Sequence, residues 1–233
     1  MIPTKLSAPY HLSSMPLVDR DTWILSRAAG LRVLHAGATD SMFTEQRASG
    51  EGLLHQKLRG AGCDLVGLDI DKEGIEYLRR VHGIDDIRHG DLESLPEQFE
   101  PQSFDLVIAA DVLEHLNNPG LFLSGVREVL RSTGSLIVTV PNAFSLKKFL
   151  GVSLFRQERN HPDHVCFYSY MNLHEILRRF GFVITEANAF MLEDATRRIN
   201  WYANLTARAA MLLLRNHHIA DEIALLARPA LVR

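Results

Sequence analysis

The feature that most constrains the fold is a regular alternation of short apolar runs with helical patterns between residues 31 and 140. Between the runs, apolar residues recur at helical spacing, as in Ile75, Leu78 and Val81. Strands that are apolar on both faces and alternate with helices indicate parallel βαβ units. Because such crossovers are right-handed, we predict an α/β fold with a doubly wound open sheet. The predicted strands of this region cover 31–36, 64–69, 86–89, 104–110 and 135–140.

The flanking segments differ in character from this alternating region. Residues 1 to about 16 are rich in Pro and Ser and predict a loose arm, followed by a helix over 19–29. Residues 141–168 are polar and His-rich without a clear period, which predicts a lid or substrate wall. We therefore divide the chain into an N-terminal arm and helix, 1–30, and one domain, 31–233, with a lid or substrate loop at about 141–170. Later elements are predicted over 170–180, 182–185, 197–214 and 222–227.

Composition excludes several classes of protein. The net charge of -3 offers no basic patch for nucleic acid. Cys63 and Cys166 lack metal-type spacing and predict reduced thiols in a cytoplasmic protein. The early residues lack the apolar core of a signal peptide. The late apolar run over 209–214 is too short for an integral membrane segment.

The turn after the first strand bears on the type of cofactor. A dinucleotide site favours G-x-G-x-x-G, which lets the backbone approach a pyrophosphate. Only Gly37 is present in His35-Ala-Gly-Ala-Thr-Asp40. A cofactor without phosphates needs less of this close approach. The turn therefore favours S-adenosylmethionine over NAD.

Carboxylates follow the next two strands. Asp69 ends the second strand and is suited to accept hydrogen bonds from ribose hydroxyls. Asp71 has the alternative role of a helix N-cap, so we assign the ribose to Asp69 and the cap to Asp71. After the third strand, Asp91 could accept a bond from an adenine amino group, and the amide of Leu92 could donate to a ring nitrogen. Because Gly-Asp is also a common turn, the assignment of Asp91 and Leu92 to adenine depends on their position after the third strand.

The chain resembles the class I S-adenosylmethionine-dependent methyltransferases from about Arg32 to Phe182. The most specific segment is Phe104-Asp-Leu-Val-Ile-Ala-Ala-Asp-Val-Leu-Glu-His115-Leu, which is similar to the fourth-strand motif of ubiquinone-biosynthesis and bacterial sugar methyltransferases. Gly134-Ser-Leu-Ile-Val-Thr-Val-Pro-Asn142 resembles the fifth strand of that subgroup. The resemblance implies a Rossmann-like seven-stranded sheet, mostly parallel with an antiparallel last strand. It also implies that the cofactor is bound by Gly37, Asp69, Asp91, Leu92, Ala110 and Asp111.

The first motif departs from the family pattern. The family usually has an acidic residue where His35 stands and further glycines near Thr39 and Ser41. A histidine cannot accept the same bonds as a carboxylate, so the methionine ammonium needs another partner, for which Asp40 is the candidate. An insert over 41–51 lengthens the loop before the next helix. Either the cofactor lies slightly differently here, which we favour, or its binding is weak or lost.

Candidate bases for the reaction lie beyond the fourth strand and in the lid. Methyl transfer to oxygen is an in-line displacement for which the protein supplies orientation and a base. Histidine suits this role because its unperturbed pKa lies near neutrality. His115 is equally consistent with an interior position that holds the next loop. His161 and His164 are interpreted first as substrate-wall histidines, then as loop polarity and last as a metal pair, so we predict no metal site.

The predicted helix over 197–215 carries four arginines together with Trp201 and Tyr202. A solvated helix face is the default interpretation. The alternatives are an anionic substrate, peripheral contact with a membrane surface, or a homodimer contact.

Three functions therefore compete at this stage. The first is an S-adenosylmethionine-dependent methyltransferase acting on an oxygen of a small molecule or of a sugar or glycan. The second is an inactive or weakly active S-adenosylmethionine-binding domain in a biosynthetic complex, supported only by the irregular first motif. The third is an NAD-dependent oxidoreductase, which the missing glycines disfavour.

Overall fold

A seven-stranded sheet organises the chain in the computed structural model, which describes residues 12–50, 52–158, 160–192 and 198–230. Its strands are β1 Arg32–Ala36, β2 Asp64–Asp69, β3 Ile87–His89, β4 Phe104–Ala110, β5 Leu130–Pro141, β6 Phe182–Phe190 and β7 Glu222–Pro229. Their order across the sheet is β3-β2-β1-β4-β5-β7-β6. Strands β1 to β5 pair in parallel, whereas β7 is antiparallel to both β5 and β6. The predicted doubly wound, mostly parallel sheet with an antiparallel last strand is therefore confirmed.

Helices connect these strands, and local capping explains several of their boundaries. The Asp71 side chain accepts a hydrogen bond from the Gly74 amide at the start of the fourth helix, as predicted for an N-cap. Pro119 occupies the first turn of the fifth helix, behind an Asn118 cap. The helices are α1 Arg20–Ala28, α2 Thr44–Ser49, α3 Leu54–Arg59, α4 Lys72–His82, α5 Pro119–Val129, α6 Leu146–Phe155, α7 Tyr170–Arg179 and α8 Arg198–Leu214. Short 3-10 turns cover Ser41–Phe43 and Leu92–Glu97.

Alternate residues of the central strands enter two separate cores. Val107 of β4 packs with Phe122 of α5 on one side of the sheet. Its neighbour Ile108 joins the cluster of Trp23 and Leu58, from α1 and α3, on the other side. Burying a large aliphatic side chain stabilises a fold by about 1.5–3 kcal/mol. Burial on both faces explains why these strands are continuous apolar runs in the sequence.

The strand order reverses between β1 and β4. The chain runs outward from β1 through β2 to β3 and then returns to place β4 on the other side of β1. Ligands of open α/β sheets bind outside the carboxyl ends of the strands at such a point. The turns after β1 and β4 therefore lie together where a ligand is expected.

The N-terminal segment is packed rather than loose. Met15 is buried, and Leu17 forms a parallel bridge with Ala189 of the edge strand β6. His217 Nδ1 lies 2.7 Å from the Met15 carbonyl oxygen. The prediction of a loose arm is therefore wrong for residues 12–16, and residues 1–11 lie outside the described part. The contacts that hold this segment are distant in sequence, so local composition did not reveal them.

Two segments predicted as loops contain helices. The insert over 41–51 folds into a 3-10 turn and α2, and the lid segment contains α6. No residue of α6 is buried, and its apolar residues lie on several faces of the helix. Because no single apolar face stands out, the sequence pattern did not predict α6. Within the described residues, no helix is both long and apolar enough to cross a membrane.

Candidate functional site

A cavity of about 1170 Å³ opens at the carboxyl ends of β1, β2 and β4. This volume slightly exceeds the roughly 300–1,000 Å³ that is common for small-molecule sites, so there is room for a cofactor together with a small acceptor. Every site residue predicted from the sequence lines it: Gly37, Asp40, Asp69, Asp91, Leu92, Ala110, Asp111, His115, His161 and His164. Their individual roles remain predictions.

Gly37 forms the tight turn that ends β1. Its φ of +73° lies in the left-handed region, and its amide donates to the Leu68 carbonyl oxygen at 2.9 Å. A Cβ at this position would lie 2.6 Å from Cγ2 of Val112, which follows β4. Glycine is therefore required here both for the backbone conformation and for the close approach of two strand ends.

Asp69 is held rigidly at the end of β2. One carboxylate oxygen accepts a hydrogen bond from the Thr39 amide and the other from the Asp71 amide, both at 2.8 Å. These two bonds tie the turn after β1 to the turn after β2. Each carboxylate oxygen retains a further lone pair. Asp69 is thus oriented to accept hydroxyl hydrogen bonds at the cavity wall.

Asp91 caps the short turn after β3. Its Oδ1 accepts a hydrogen bond from the Glu93 amide at 2.8 Å, while the adjacent Leu92 side chain is buried against the core. The turn interpretation of Gly-Asp therefore holds. It does not compete with adenine binding, since the second carboxylate oxygen is not used by the cap.

Asp111 has an unusual backbone conformation and two side-chain partners. Its φ is +57°, and Oδ1 accepts a bond from the Thr139 hydroxyl at 2.8 Å. Oδ2 accepts a bond from Arg20 Nη1 at 2.7 Å. Arg20 comes from α1 and lines the same cavity. The sequence did not single out this arginine, because nothing local relates α1 to the end of β4.

Histidines replace the usual acidic group behind the first turn. His35 Nδ1 lies 3.1 Å from His55 Nδ1, and His55 Nε2 lies 3.1 Å from Asp86 Oδ1. Burial, followed by the neighbouring His55, lowers the pKa of His35 well below its ordinary value. The proposed substitute, Asp40, forms an ion pair with Arg47 at 2.6 Å. An ammonium group in the cavity therefore has to share Asp40 or meet another carboxylate.

Two further carboxyl groups line the cavity beside Asp111. Glu114 and Glu222 are buried, and three of their four oxygens have no hydrogen-bond partner among the described residues. Burial, and then the nearby Asp111 carboxylate, raises the pKa of both groups. Glu222 begins β7, about 110 residues after Asp111 in the chain. Two unpartnered buried carboxyls at one wall favour a cationic ligand, which would offset their desolvation.

The three candidate histidines form one cluster. Ring centroids lie 4.6 Å apart for His115 and His164, 5.4 Å for His115 and His161, and 5.6 Å for His161 and His164. Burial is the first cause that lowers the pKa of His115 and that of His164, the latter to about 4. Both are therefore neutral at pH 7 and able to accept a proton.

The lid that carries His161 and His164 is anchored to the end of β4. The amides of Val165 and Cys166 both donate to the Glu114 carbonyl oxygen, at 2.9 and 3.2 Å. On the other side, Asn142 and Tyr168 form a parallel bridge. These contacts bring the lid histidines to His115, which lies about 46 residues earlier in the sequence.

Replacing Glu222 with glutamine should change how stability depends on pH. The raised pKa keeps the Glu222 carboxyl protonated in the folded protein, while the unfolded chain releases that proton above about pH 4.5. The free energy of unfolding therefore falls as the pH rises from the unfolded pKa to the folded pKa. Each such group contributes a slope of at most about 1.4 kcal/mol per pH unit. Urea denaturation from pH 5 to 8 should show a flatter decline for Glu222→Gln.

The matched control is Glu97→Gln, at an exposed position. It should retain the wild-type slope. Glu114 has a pKa shifted in the same direction, so part of the slope should also persist in Glu222→Gln. Identical slopes for the Glu222 variant and the wild type would contradict this account of the buried carboxyl.

Comparisons with known proteins agree with this geometry. Residues 46–138 match a family described as a methyltransferase domain. A probable S-adenosylmethionine-dependent methyltransferase of Mycolicibacterium smegmatis is 30% identical over 160 residues, covering 69% of this chain and 55% of that protein. The mitochondrial ubiquinone biosynthesis O-methyltransferase of Rattus norvegicus is 29% identical over 135 residues, covering 55% of this chain and 36% of that protein. The chain thus spans about half or less of the length of these two relatives.

Solved structures share the fold. The crystal structure of an S-adenosylmethionine-dependent methyltransferase from Mesorhizobium loti superposes with a TM-score of 0.58 at 17% identity, covering 90% of this chain and 95% of that one. The residues of the cavity also suit the cofactor of this family. The Gly37 turn and the oriented Asp69 face a cavity whose unpartnered carboxyls suit a sulfonium and an ammonium group. By its strand order this chain has the fold of the class I S-adenosylmethionine-dependent methyltransferases, and its sequence is similar to members of that family.

Proposed function

We propose that this chain methylates an oxygen of a small molecule or of a sugar or glycan. The observation that carries the proposal is the cluster of His115, His161 and His164 at the cavity wall, in which the lowered pKa of His115 and of His164 leaves two neutral imidazoles available as a base. The rat relative is an O-methyltransferase by name, which supports an oxygen acceptor and places phenols beside sugars among the candidates.

Bound S-adenosylmethionine would supply an activated methyl group on a sulfonium, which a hydroxyl oxygen attacks in line. The chain's contribution is to position both reactants and to remove the hydroxyl proton. Asp69 would hold the ribose, Asp91 and Leu92 the adenine, and Ala110 with Asp111 the amino-acid end. Arg20 keeps Asp111 oriented through their 2.7 Å ion pair. It also lines the cavity, where its guanidinium would pair with the carboxylate of the methionine part.

Histidine is the preferred base because of its protonation state. His164 has a pKa of about 4, so it is neutral throughout the physiological range. A neutral imidazole near the acceptor can take the hydroxyl proton as the carbon–oxygen bond forms. Glu114 Oε1 lies 3.9 Å from His164 Nε2, and because burial raises the pKa of Glu114 to about 9, this neighbour of His164 is a neutral carboxyl at pH 7.

The test combines binding with turnover. Calorimetry with S-adenosylhomocysteine and with NAD should give saturable heat for the first alone, which separates a methyltransferase from an oxidoreductase. Transfer of a labelled methyl group should then be measured over a panel of phenols, sugars and nucleotide sugars. Binding without transfer over the whole panel would favour the inactive binding domain, and no binding of S-adenosylhomocysteine would overturn the proposal.

A second candidate role for the same cluster is metal binding. One nitrogen from each of His115, His161 and His164 lies within 4.8 Å of the other two, whereas the sequence pattern offered no third ligand. Zinc–nitrogen distances of about 2.0–2.1 Å require closer spacing, so the rings would have to move together by an ångström or more. On this candidate, the ion would activate the acceptor oxygen in place of a histidine base.

A metal titration distinguishes the two roles. If the cluster binds zinc, His161→Ala should weaken Zn²⁺ affinity at least about ten-fold, as measured by competition with a chromogenic chelator. His89→Ala, at an exposed histidine outside the cavity, should leave the affinity unchanged. Equal zinc affinity for the wild type and both variants would exclude metal binding by the cluster, and the histidines would then remain candidates for the base.

A further inference from the structure

Helix α6 is apolar but buries nothing. Its sequence is Leu-Lys-Lys-Phe-Leu-Gly-Val-Ser-Leu-Phe, and none of its ten residues is buried. Phe149, Leu154 and Phe155 each expose about two thirds of their surface. A helix of this length normally gains its stability by packing an apolar face onto a core. Leu146 and Leu150 are half-buried, whereas Phe149, Leu154 and Phe155 contribute little to the core.

Helix α8 contacts α6 and carries further exposed apolar side chains. Lys147 of α6 donates a hydrogen bond to Asn204 of α8 at 2.6 Å. In its described part, α8 buries Ala207 and Met211 and exposes leucines along its outer side. We call this feature the α6/α8 surface and define it by Phe149, Leu154, Phe155, Leu205, Leu212 and Leu213.

Basic residues predominate around this surface, although Lys147 forms an ion pair with Asp221. Residues 141–157 and 195–220 contain seven Lys and Arg and no Asp or Glu, although the whole chain has a net charge of -3. Arg156 and Arg215 lie immediately after the C-terminal ends of α6 and α8, and both are exposed. Exposed apolar side chains flanked by exposed cations are typical of surfaces that bind anionic membranes.

A second copy of the chain is a less suitable occupant. Exposed apolar side chains in this number mark either a protein or a membrane contact. Two copies joined through this surface would bring two predominantly basic segments together, and like charges at an interface oppose association. A bilayer with anionic headgroups instead supplies both an apolar phase and the opposite charge.

We propose that the α6/α8 surface docks this protein onto bilayers containing anionic phospholipid, with its exposed Phe and Leu side chains entering the interfacial region. Arg208 of α8 and Pro141, which precedes α6, both line the cavity. Docking through this surface therefore places the cavity rim next to the membrane. This inference concerns where the protein works and does not depend on the acceptor of the methyl group.

Co-sedimentation of the full chain with vesicles tests the proposal. Vesicles of phosphatidylcholine with a third phosphatidylglycerol should bind the protein at least ten-fold more strongly than pure phosphatidylcholine, and added salt should reduce the difference. The Phe149→Ser, Phe155→Ser and Leu213→Ser triple variant should lose at least ten-fold of this binding. The Arg156→Glu and Arg215→Glu double variant should lose it on anionic vesicles, since each cation contributes about a factor of five.

Controls separate docking from folding and from cofactor binding. Val81→Ser with Val183→Ser alters two exposed apolar residues on α4 and β6 and should leave vesicle binding unchanged. Every variant should bind S-adenosylhomocysteine as the wild type does; if the triple variant does not fold, Leu213→Ser alone is compared. The proposal would be overturned if the wild-type protein did not bind anionic vesicles more strongly than pure phosphatidylcholine vesicles. A second result would also overturn it: light scattering shows that the wild type is a dimer and the triple variant a monomer, while neither protein binds vesicles.

Discussion

Asp69→Ala should weaken binding of S-adenosylhomocysteine by about 1–3 kcal/mol, which corresponds to about 5- to 150-fold in Kd. The loss has two sources. Hydrogen bonds from ribose hydroxyls to a charged acceptor disappear, and the amides of Thr39 and Asp71 lose the acceptor that holds them at 2.8 Å. The turn after β1 is then free to move away from the cavity. Isothermal titration calorimetry measures the change directly.

A control at the other end of the same strand isolates the effect. Asp64 begins β2, is mostly exposed, and lies away from the carboxyl end where the cavity opens. Asp64→Ala should leave the affinity unchanged while removing the same charge from the chain. Equal affinity for Asp69→Ala and the wild type would exclude Asp69 from the cofactor site and contradict its assignment to the ribose.

Gly37→Ala should reduce the free energy of unfolding by about 2–5 kcal/mol. A non-glycine residue in the left-handed region costs about 1–2 kcal/mol. The added methyl group would lie 2.6 Å from Val112 Cγ2, and such overpacking typically costs about 1–3 kcal/mol more. Because Val112 follows Asp111, the displacement should also weaken S-adenosylhomocysteine binding.

Gly83→Ala provides the matched comparison for this glycine. Gly83 has a φ of +64°, but nothing lies within 4 Å of where its Cβ would be. It should therefore show only the backbone cost, about 1–2 kcal/mol, with no change in cofactor affinity. Urea denaturation of both variants measures the difference. If the two glycines cost the same, the close approach to Val112 does not contribute to stability.

Local patterns in the sequence determined the sheet and the contents of its carboxyl edge. Alternation of apolar runs with helical spacing predicted the βαβ order, because strands buried on both faces must be apolar throughout. Since parallel strands end at the same edge, Gly37, Asp69, Asp91 and Asp111 were expected at one cavity, and all four line it. The exposed α6 was not predicted, because its apolar residues lie on several faces and no single apolar face marks the helix.

Only the tertiary structure decided which distant residues complete the site. Arg20 reaches Asp111 from α1, Glu222 enters from the antiparallel β7, and the anchored lid brings His161 and His164 to His115. Each of these contacts joins segments separated by tens of residues, and side-chain identity alone does not specify such pairs. The sequence by itself determined the architecture through local periodicity, whereas the electrostatics of the cavity depend on how the ends of the sheet and the lid pack together.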